Sequence, residues 1–199
     1  STLIKVLSGV YAADAGSAVE VNGTSLSNPV RPAELRRLGL GFVHQDLGLV
    51  GEQTVLENMR LGQFRVRRLS RRINWRAERE AARSTLTRLH SEIDCDRLVN
   101  TLLPGEKAVV AVGRALQSIV PGTGCVVFDE STRALPREIL PDFYETIRRL
   151  SRAGTAVIIV SHRLDEVLTL ADRVTVLQDG AVVAGGRATE GLTESALAH

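Results

Sequence analysis

Three short runs of mainly apolar residues, each followed by polar residues, dominate the pattern along the chain. They cover residues 40–44, 125–128 and 157–160. Continuous apolar runs are typical of parallel strands covered on both faces, whereas half-exposed strands alternate. We therefore expect three buried core strands in an α/β fold built on a parallel sheet.

Segments with helical spacing and helix-start signals lie between these runs. The predicted helices cover residues 1–7, 32–38, 54–61, 75–90 and 108–120, a segment that starts between 136 and 141 and ends near 152, and 163–171. Thr54 and Asn74 are the predicted caps of two of them. Short antiparallel strands are predicted around the turns Asn22-Gly23 and Asp179-Gly180. We expect a core from residues 1–45 and 121–199, with residues 46–120 as a helical subdomain.

Polar side chains follow each of the three runs: Gln45, the pair Asp129-Glu130, and the pair Ser161-His162. In open α/β sheets, ligands bind at the carboxyl ends of the strands. Ser1 and Thr2 open the first predicted helix and look like the tail of a phosphate loop, G-x-x-x-x-G-K-[ST]. Taken singly, each feature is also compatible with an ordinary helix cap, a loop start or a solvated strand end.

Taken in order, these motifs resemble the ATP-binding subunits of ABC transporters. The likeness is greatest to the branch that imports monosaccharides of the ribose, galactose and xylose type. It is carried by residues 5–11, 43–46, 55–58, 73–75, 161–167 and 172–180. The resemblance implies a P-loop NTPase-like parallel core, a helical subdomain and a small antiparallel β portion. It also implies the first nucleotide-binding domain of such a subunit, truncated at its N-terminus.

The resemblance further implies ATP and Mg²⁺ as cofactors and a role for each motif. Glu130 would be the general base, with Gln45 and His162 as further catalytic residues. The nucleotide would be bound by Ser1, Thr2 and Gly105, and the metal by Ser1, Gln45 and Asp129. Because the phosphate-loop lysine would precede Ser1, we expect weak or absent nucleotide binding and turnover by the chain as it stands.

The same likeness implies a place in a larger assembly. The expected partners are a second ATP-binding domain and transmembrane permease subunits, without nucleic acid. The expected location is the cytoplasmic face of the inner membrane, as a peripheral subunit, with ATP hydrolysis driving sugar import. The transported sugar would be selected by other subunits.

Two segments depart from the family pattern. Residues 102–107 stand where the family has its signature motif, L-S-x-G-Q, but Leu103 replaces the serine and Glu106 replaces the glutamine. Ser131 stands where a proline usually follows the glutamate. A loop that simply enters a buried helix is the alternative interpretation of residues 102–107. These departures keep open a degenerate, non-hydrolysing ABC domain with a structural or regulatory role.

Composition and charge argue for or against other classes of protein, such as nucleic-acid binders, membrane-spanning proteins and metal-binding proteins. The chain has 199 residues and a net charge of +2, which argues against a dedicated nucleic-acid binder. No apolar run approaches the roughly 18 residues of a membrane span. Cys95 and Cys125 have no metal-ligand spacing. Residues 63–79 are rich in arginine. That stretch predicts either a patch for lipid headgroups or nucleic acid, or a solvated insert, and so leaves open a soluble ABC-type protein acting on nucleic acid.

Overall fold

The structure is a computed structural model that describes residues 2–66, 72–117, 119, 124–135 and 137–193. The chain forms two compact units, Ser1–Ile158 and Ile159–His199, each described by itself below. The predicted division into a core and a helical subdomain at residues 46–120 stays a prediction.

The elements follow the order expected from the sequence. The helices are α1 (Thr2–Leu7), α2 (Pro32–Arg37), α3 (Val55–Arg60), α4 (Trp75–Arg88), α5 (Pro104–Leu116), α6 (Leu140–Arg152) and α7 (Leu164–Leu170). The strands are β1 (Glu20–Val21), β2 (Thr24–Ser25), β3 (Leu40–Val43), β4 (Cys125–Asp129), β5 (Ala156–Val160), β6 (Arg173–Gln178) and β7 (Ala181–Ala188). Three short 3₁₀ turns cover Val99–Thr101, Ser131–Ala134 and Arg137–Ile139.

The central sheet has the strand order β3-β4-β5. Strands β3 and β4 run parallel, and their pairing extends from Leu40 beside Cys125 to Val43 beside Phe128. Gly41 allows β3 to approach α5, because a Cβ atom there would lie 2.4 Å from the carbonyl oxygen of Ala115. The central residues of β4 are buried, as predicted, and the Phe128 ring packs edge-on against Phe143 of α6 at 5.6 Å.

Two sequence predictions are wrong in detail. The run at residues 157–160 is not a buried strand: Ile158 is 44% exposed, and the strand's other residues are partly or fully exposed. As the last strand in the sheet order, β5 has a described neighbour on one side only. Helix α5 begins at Pro104 rather than Ala108 and ends at Leu116 rather than Val120, which lies outside the described residues. Proline is well suited to a first helical turn, so the helix starts there.

Helices α3, α4 and α5 enclose an apolar cluster. Its buried members are Val55, Leu56, Met59, Ala82, Leu86, Cys95, Val99, Leu102 and Val110. The predicted apolar face of α4 is confirmed, since Ala82, Leu86 and Leu89 are all buried. The predicted caps are confirmed as well: the Ala77 N–H donates to Asn74 Oδ1, and the Glu57 N–H donates to Thr54 Oγ1.

In the second unit, β6 and β7 form an antiparallel hairpin. Asp179 and Gly180 both have positive φ angles, +50° and +80°, as a tight two-residue hairpin turn requires. Across the described part of the chain, no helix has both the length and the apolar character needed to cross a bilayer.

Candidate functional site

Gln45, Asp129 and Glu130 lie at or just beyond the carboxyl ends of neighbouring parallel strands, and we call these three residues the strand-end group. The last pairing joins Val43 to Phe128, so Gln45 and Glu130 each stand two residues beyond a paired position. Gln45 is exposed in the turn after β3. Adjacent parallel strands therefore direct an amide and two carboxylates to the same edge of the sheet, where ligands bind in such folds.

Asp129 is the last residue of β4, and its Oδ1 atom is buried. This atom accepts no hydrogen bond within the described residues, although buried polar atoms rarely go without a partner. A buried carboxylate oxygen of this kind fits a hard cation such as Mg²⁺, which prefers oxygen ligands. The described residues contain no group of three or more His, Cys, Asp or Glu side chains that could hold a metal ion by themselves. One or two carboxylates at such an edge suit Mg²⁺, which usually keeps water and substrate phosphate as its other ligands.

Glu130 has a strained backbone. Its φ and ψ angles are 49° and 22°, in the left-handed region that non-glycine residues seldom adopt. Such strain costs of order 1–3 kcal/mol and is concentrated at functional sites. The next residue, Ser131, is 2% exposed, and its buried hydroxyl has no hydrogen-bond partner among the described residues. Sequence analysis noted Ser131 as a departure from the family pattern but did not predict its burial, because nothing in its local pattern signals it.

Arg114 of α5 fixes the turn that follows Gln45. Its guanidinium donates to the carbonyl oxygens of Leu47 and Gly48, at 2.6 and 2.5 Å. Burial lowers the pKa of Arg114, and nearby Asp46 opposes that effect. This contact links α5 to the loop that carries Gln45, and it joins positions 66 or more residues apart, which local patterns cannot predict.

The start of helix α5 differs from the strand-end group because side chains of its own segment cap it. We call residues 103–106, together with Arg97, the α5 cap. Glu106 accepts a hydrogen bond from the Leu103 N–H at 2.8 Å and pairs with Arg97 at 2.8 Å. Leu103 itself is 69% exposed. A Cβ atom at Gly105 would lie 2.8 Å from the Ile139 side chain, so this glycine is packed against protein. The helix N-terminus, which favours anions, is therefore already served by a carboxylate of its own chain.

A buried ion pair lies at the opposite end of α5, beside Gln117. Arg60 of α3 donates to Glu78 of α4 at 2.5 Å, with side chains 5% and 0% exposed. The Arg60 guanidinium also donates to the Gln117 side chain, and Gln117 in turn donates to Thr85 at 2.9 Å. Sequence reasoning missed this network, since Arg60 and Glu78 lie 18 residues apart. It ties three helices together just beyond the C-terminal end of α5.

Two further segments carry predicted site residues: the start of α1, and the residues between β5 and α7. Ser1 lies outside the described residues, and Thr2 is the exposed first residue of α1. In the second unit, His162 is exposed, and Ser161 donates to Glu166 of α7 at 2.6 Å. The Ser161 hydroxyl also accepts the Arg163 N–H at 3.1 Å, so it fixes the entry into α7. The roles predicted for Ser1, Thr2 and His162 stay predictions.

Comparisons with known proteins connect this geometry to a family. Residues 1–133 match the family described as ABC transporter. Over 92% of its length, the chain is 39% identical to the ribose import ATP-binding protein RbsA 3 of Rubrobacter xylanophilus, of which it covers 36%. Over 96% of its length, it is 34% identical to ribose import ATP-binding protein RbsA of Geobacillus kaustophilus, of which it covers 37%. The chain thus spans just over a third of these relatives.

Solved structures agree. A crystal structure of a nucleotide-free ATP-binding cassette from an ABC transporter superposes with a TM-score of 0.76 at 27% identity, covering 95% of this chain and 76% of that one. The ADP conformation of MJ1267, an ATP-binding cassette of an ABC transporter, gives a TM-score of 0.75 at 28% identity and the same coverage. The predicted P-loop NTPase-like fold is confirmed, and the chain belongs to the ABC transporter family.

Proposed function

We propose that this chain is part of the ATP-binding and ATP-hydrolysing subunit of a monosaccharide importer. The single observation that carries the proposal is the strand-end group: Asp129 presents a buried, unsatisfied oxygen directly before the strained Glu130. The relatives named for ribose import support the substrate class. Because the chain covers little more than a third of those relatives, the activity of the whole subunit is part of the proposal.

The residues of the strand-end group suit distinct tasks. Glu130 would accept a proton from the water that attacks the γ-phosphate, which requires a carboxylate within one hydrogen bond of that water. Asp129 and Gln45, with Ser1, would hold Mg²⁺, a metal that neutralises charge on the phosphates. Arg114 would position the Gln45 turn through its bonds to Leu47 and Gly48. The roles of His162 at the γ-phosphate and of Thr2 at the nucleotide rest on the family resemblance.

A second candidate function is supported by the α5 cap. In the family, this helix start serves the nucleotide held by the opposite domain, but here Glu106 fills the anion-favouring position and Leu103 supplies no hydroxyl. On this proposal the domain supports a partner's site without contributing a phosphate contact. The double variant Leu103→Ser/Glu106→Gln tests it by restoring the family pattern. A several-fold rise in ATP turnover would support this candidate function, because it would show that the native α5 cap lacks a phosphate contact. Unchanged turnover would remove the basis for it.

We further propose that the subunit works at the cytoplasmic face of the inner membrane as a peripheral component. A second ATP-binding domain and transmembrane permease subunits would complete the assembly. ABC-type action on nucleic acid is the weaker alternative, because the net charge of the chain is only +2.

The experiment is ATP-driven uptake of labelled ribose and related monosaccharides by vesicles that contain the complete transporter. We expect Glu130→Gln to abolish uptake, because the amide cannot accept the proton. Glu138→Gln, an exposed glutamate in the nearby 3₁₀ turn, is the matched control and should transport normally. Normal uptake by the Glu130→Gln transporter would contradict the proposal.

A further inference from the structure

The residues that the structure describes at the two ends of the arginine-rich stretch, 64–66 and 72–76, form two paired arms. The arms pair through an antiparallel bridge between Val66 and Ile73, and the Asn74 N–H donates to the Arg65 carbonyl at 3.0 Å. The Arg65 N–H donates to Glu78 at 2.7 Å, and Glu78 belongs to the buried pair with Arg60. The two arms are therefore fixed to the packed helices. We call residues 64–66 and 72–76 the basic hairpin.

The basic hairpin exposes arginine beside apolar side chains. Arg65, Arg72 and Arg76 are exposed, and none of them makes an ion pair with a described residue. Val66 is 56% exposed and Trp75 is 44% exposed. Phe64 holds the Trp75 ring edge-on at 5.6 Å. Arg79, by contrast, is engaged by Asp96 at 2.6 Å, which raises its pKa, so it is not part of the free basic surface.

The charge of the chain is concentrated in this stretch. With seven Arg and one Glu, residues 63–79 carry +6, whereas the whole chain carries +2, so the remaining residues carry −4. The single Glu of the stretch is Glu78, which is buried and paired. A negatively charged plane would therefore attract this stretch and repel the rest of the chain, which sets an orientation as well as an affinity.

We propose that the basic hairpin is a docking surface for anionic phospholipid headgroups. Exposed arginines would bind phosphates, while Trp75 and Val66 would enter the interfacial layer, where tryptophan is favoured. A nucleic acid fits less well, because the aromatic residues offer one edge-packed pair and no series of stacking rings. The proposal extends the proposed function only in giving the subunit a lipid contact of its own.

The test uses the 199-residue chain without nucleotide, so its outcome is separate from ATP turnover. Because Trp75 is the only tryptophan, its fluorescence reports directly on the hairpin. We expect a blue shift and co-sedimentation with vesicles of phosphatidylcholine mixed with phosphatidylserine, an anionic lipid of the kind that gives a leaflet its negative surface potential. Pure phosphatidylcholine vesicles should give neither signal, and raising the salt concentration should weaken binding.

The decisive variant is Arg65→Gln/Arg72→Gln/Arg76→Gln. Each arginine near an anionic surface contributes about five-fold to partitioning, so the triple variant should bind about 100-fold more weakly. The matched control, Arg36→Gln/Arg37→Gln/Arg187→Gln, removes three exposed arginines elsewhere and should bind like the parent chain. Circular dichroism should show that both variants are folded, since the replaced side chains form no ion pairs with described residues.

Several results would overturn the proposal. These are the absence of a Trp75 shift on anionic vesicles, equal loss of binding in both triple variants, and salt-sensitive binding to duplex DNA or RNA without vesicle binding. Binding only to vesicles that contain permease subunits would assign the basic hairpin to a protein contact and would also overturn it.

Discussion

The sequence resemblance predicts a phosphate-handling role for both the strand-end group and the α5 cap, yet the chemistry of the two regions differs. In the strand-end group, Asp129 has an oxygen without a partner and Glu130 has a strained backbone. In the α5 cap, Glu106 satisfies the helix start and Arg97 satisfies Glu106. Unsatisfied and strained groups are maintained only when something else stabilises them, such as a ligand. The comparison therefore contrasts a strand end with an unsatisfied oxygen and a strained backbone with a helix start whose polar groups are paired within the chain.

Of the substitutions that test this comparison, Asp129→Asn should have the largest effect on stability. In a protein that carries the phosphate-loop residues ahead of Ser1, a ligand at 100 times its dissociation constant stabilises the fold by about 2.7 kcal/mol. We expect Asp129→Asn to remove most of the Mg²⁺-dependent part of that gain, since an amide oxygen binds the cation less strongly than a carboxylate. Thermal melts with ATP, with and without Mg²⁺, measure it.

The control for that prediction is Asp179→Asn, in the exposed turn between β6 and β7. Asparagine tolerates the same positive φ, so this variant should melt like the parent with and without Mg²⁺. An unchanged Mg²⁺ effect in Asp129→Asn would remove Asp129 from the metal site.

Gly105→Ala should have the next largest effect. Its Cβ would lie 2.8 Å from one Ile139 carbon and 3.0 Å from another, so the variant should lose about 1–2 kcal/mol of unfolding free energy through overpacking. Adding Ile139→Ala should recover part of that loss. Gly51→Ala, whose Cβ would make an ordinary 3.4 Å contact, is the control. Denaturant melts that show no loss in Gly105→Ala would argue that this glycine faces open space.

Two substitutions of Glu106 separate the stability that its hydrogen bond to the Leu103 N–H contributes from the stability that its negative charge contributes. Glu106→Ala removes the hydrogen bond to the Leu103 N–H and should cost about 1 kcal/mol. Glu106→Gln keeps an acceptor for that bond and loses only a partly exposed ion pair with Arg97, which should cost less than about 1 kcal/mol. Equal losses in the two variants, measured by urea melts, would show that the carboxylate charge is the stabilising feature.

The smallest expected effect concerns the two thiols, Cys125 at the start of β4 and Cys95 in the apolar cluster of helices α3, α4 and α5. Burial raises the pKa of Cys125 at the start of β4 and of Cys95 near α4 above their ordinary value of 9.0. Both should therefore react slowly with iodoacetamide in the folded chain, since the thiolate is the reactive form. Cys95, at 2% exposure, should be the slower of the two. Faster labelling of Cys95, read by mass spectrometry, would show that the helical cluster opens more readily than β4.

These raised pKa values also fix the sign of a pH effect. The unfolded thiols ionise first, so the free energy of unfolding should fall as the pH rises above their unfolded pKa.

Much of the fold could be predicted from local patterns. Thr54 and Asn74 cap their helices, and Asp179-Gly180 forms its hairpin, because these features depend on residues within a few positions. The burial of β5 was predicted wrongly, because an apolar run does not reveal where its strand stands in the sheet. The start of α5 was missed because Pro104 was assigned to the loop rather than to a first helical turn.

The candidate site likewise has features that local sequence patterns predict and features that they do not. The carboxylates at the end of β4 could be predicted, since the end of an apolar run is visible in sequence. The hydrogen bonds of Arg114 and the buried pair Arg60–Glu78 could not, because they join residues 18 to 67 positions apart. The sequence departure at Glu106 was visible, but its use as a cap depends on the backbone of Leu103 and the position of Arg97.

The most direct test of the central claim is ATP turnover and MgATP binding measured on the same protein, one that carries the phosphate-loop residues ahead of Ser1. The account predicts that Glu130→Gln lowers turnover by about a hundred-fold or more while MgATP still binds, because only the proton acceptor is lost. Turnover that survives in Glu130→Gln would contradict the assignment of the strand-end group as the hydrolytic site.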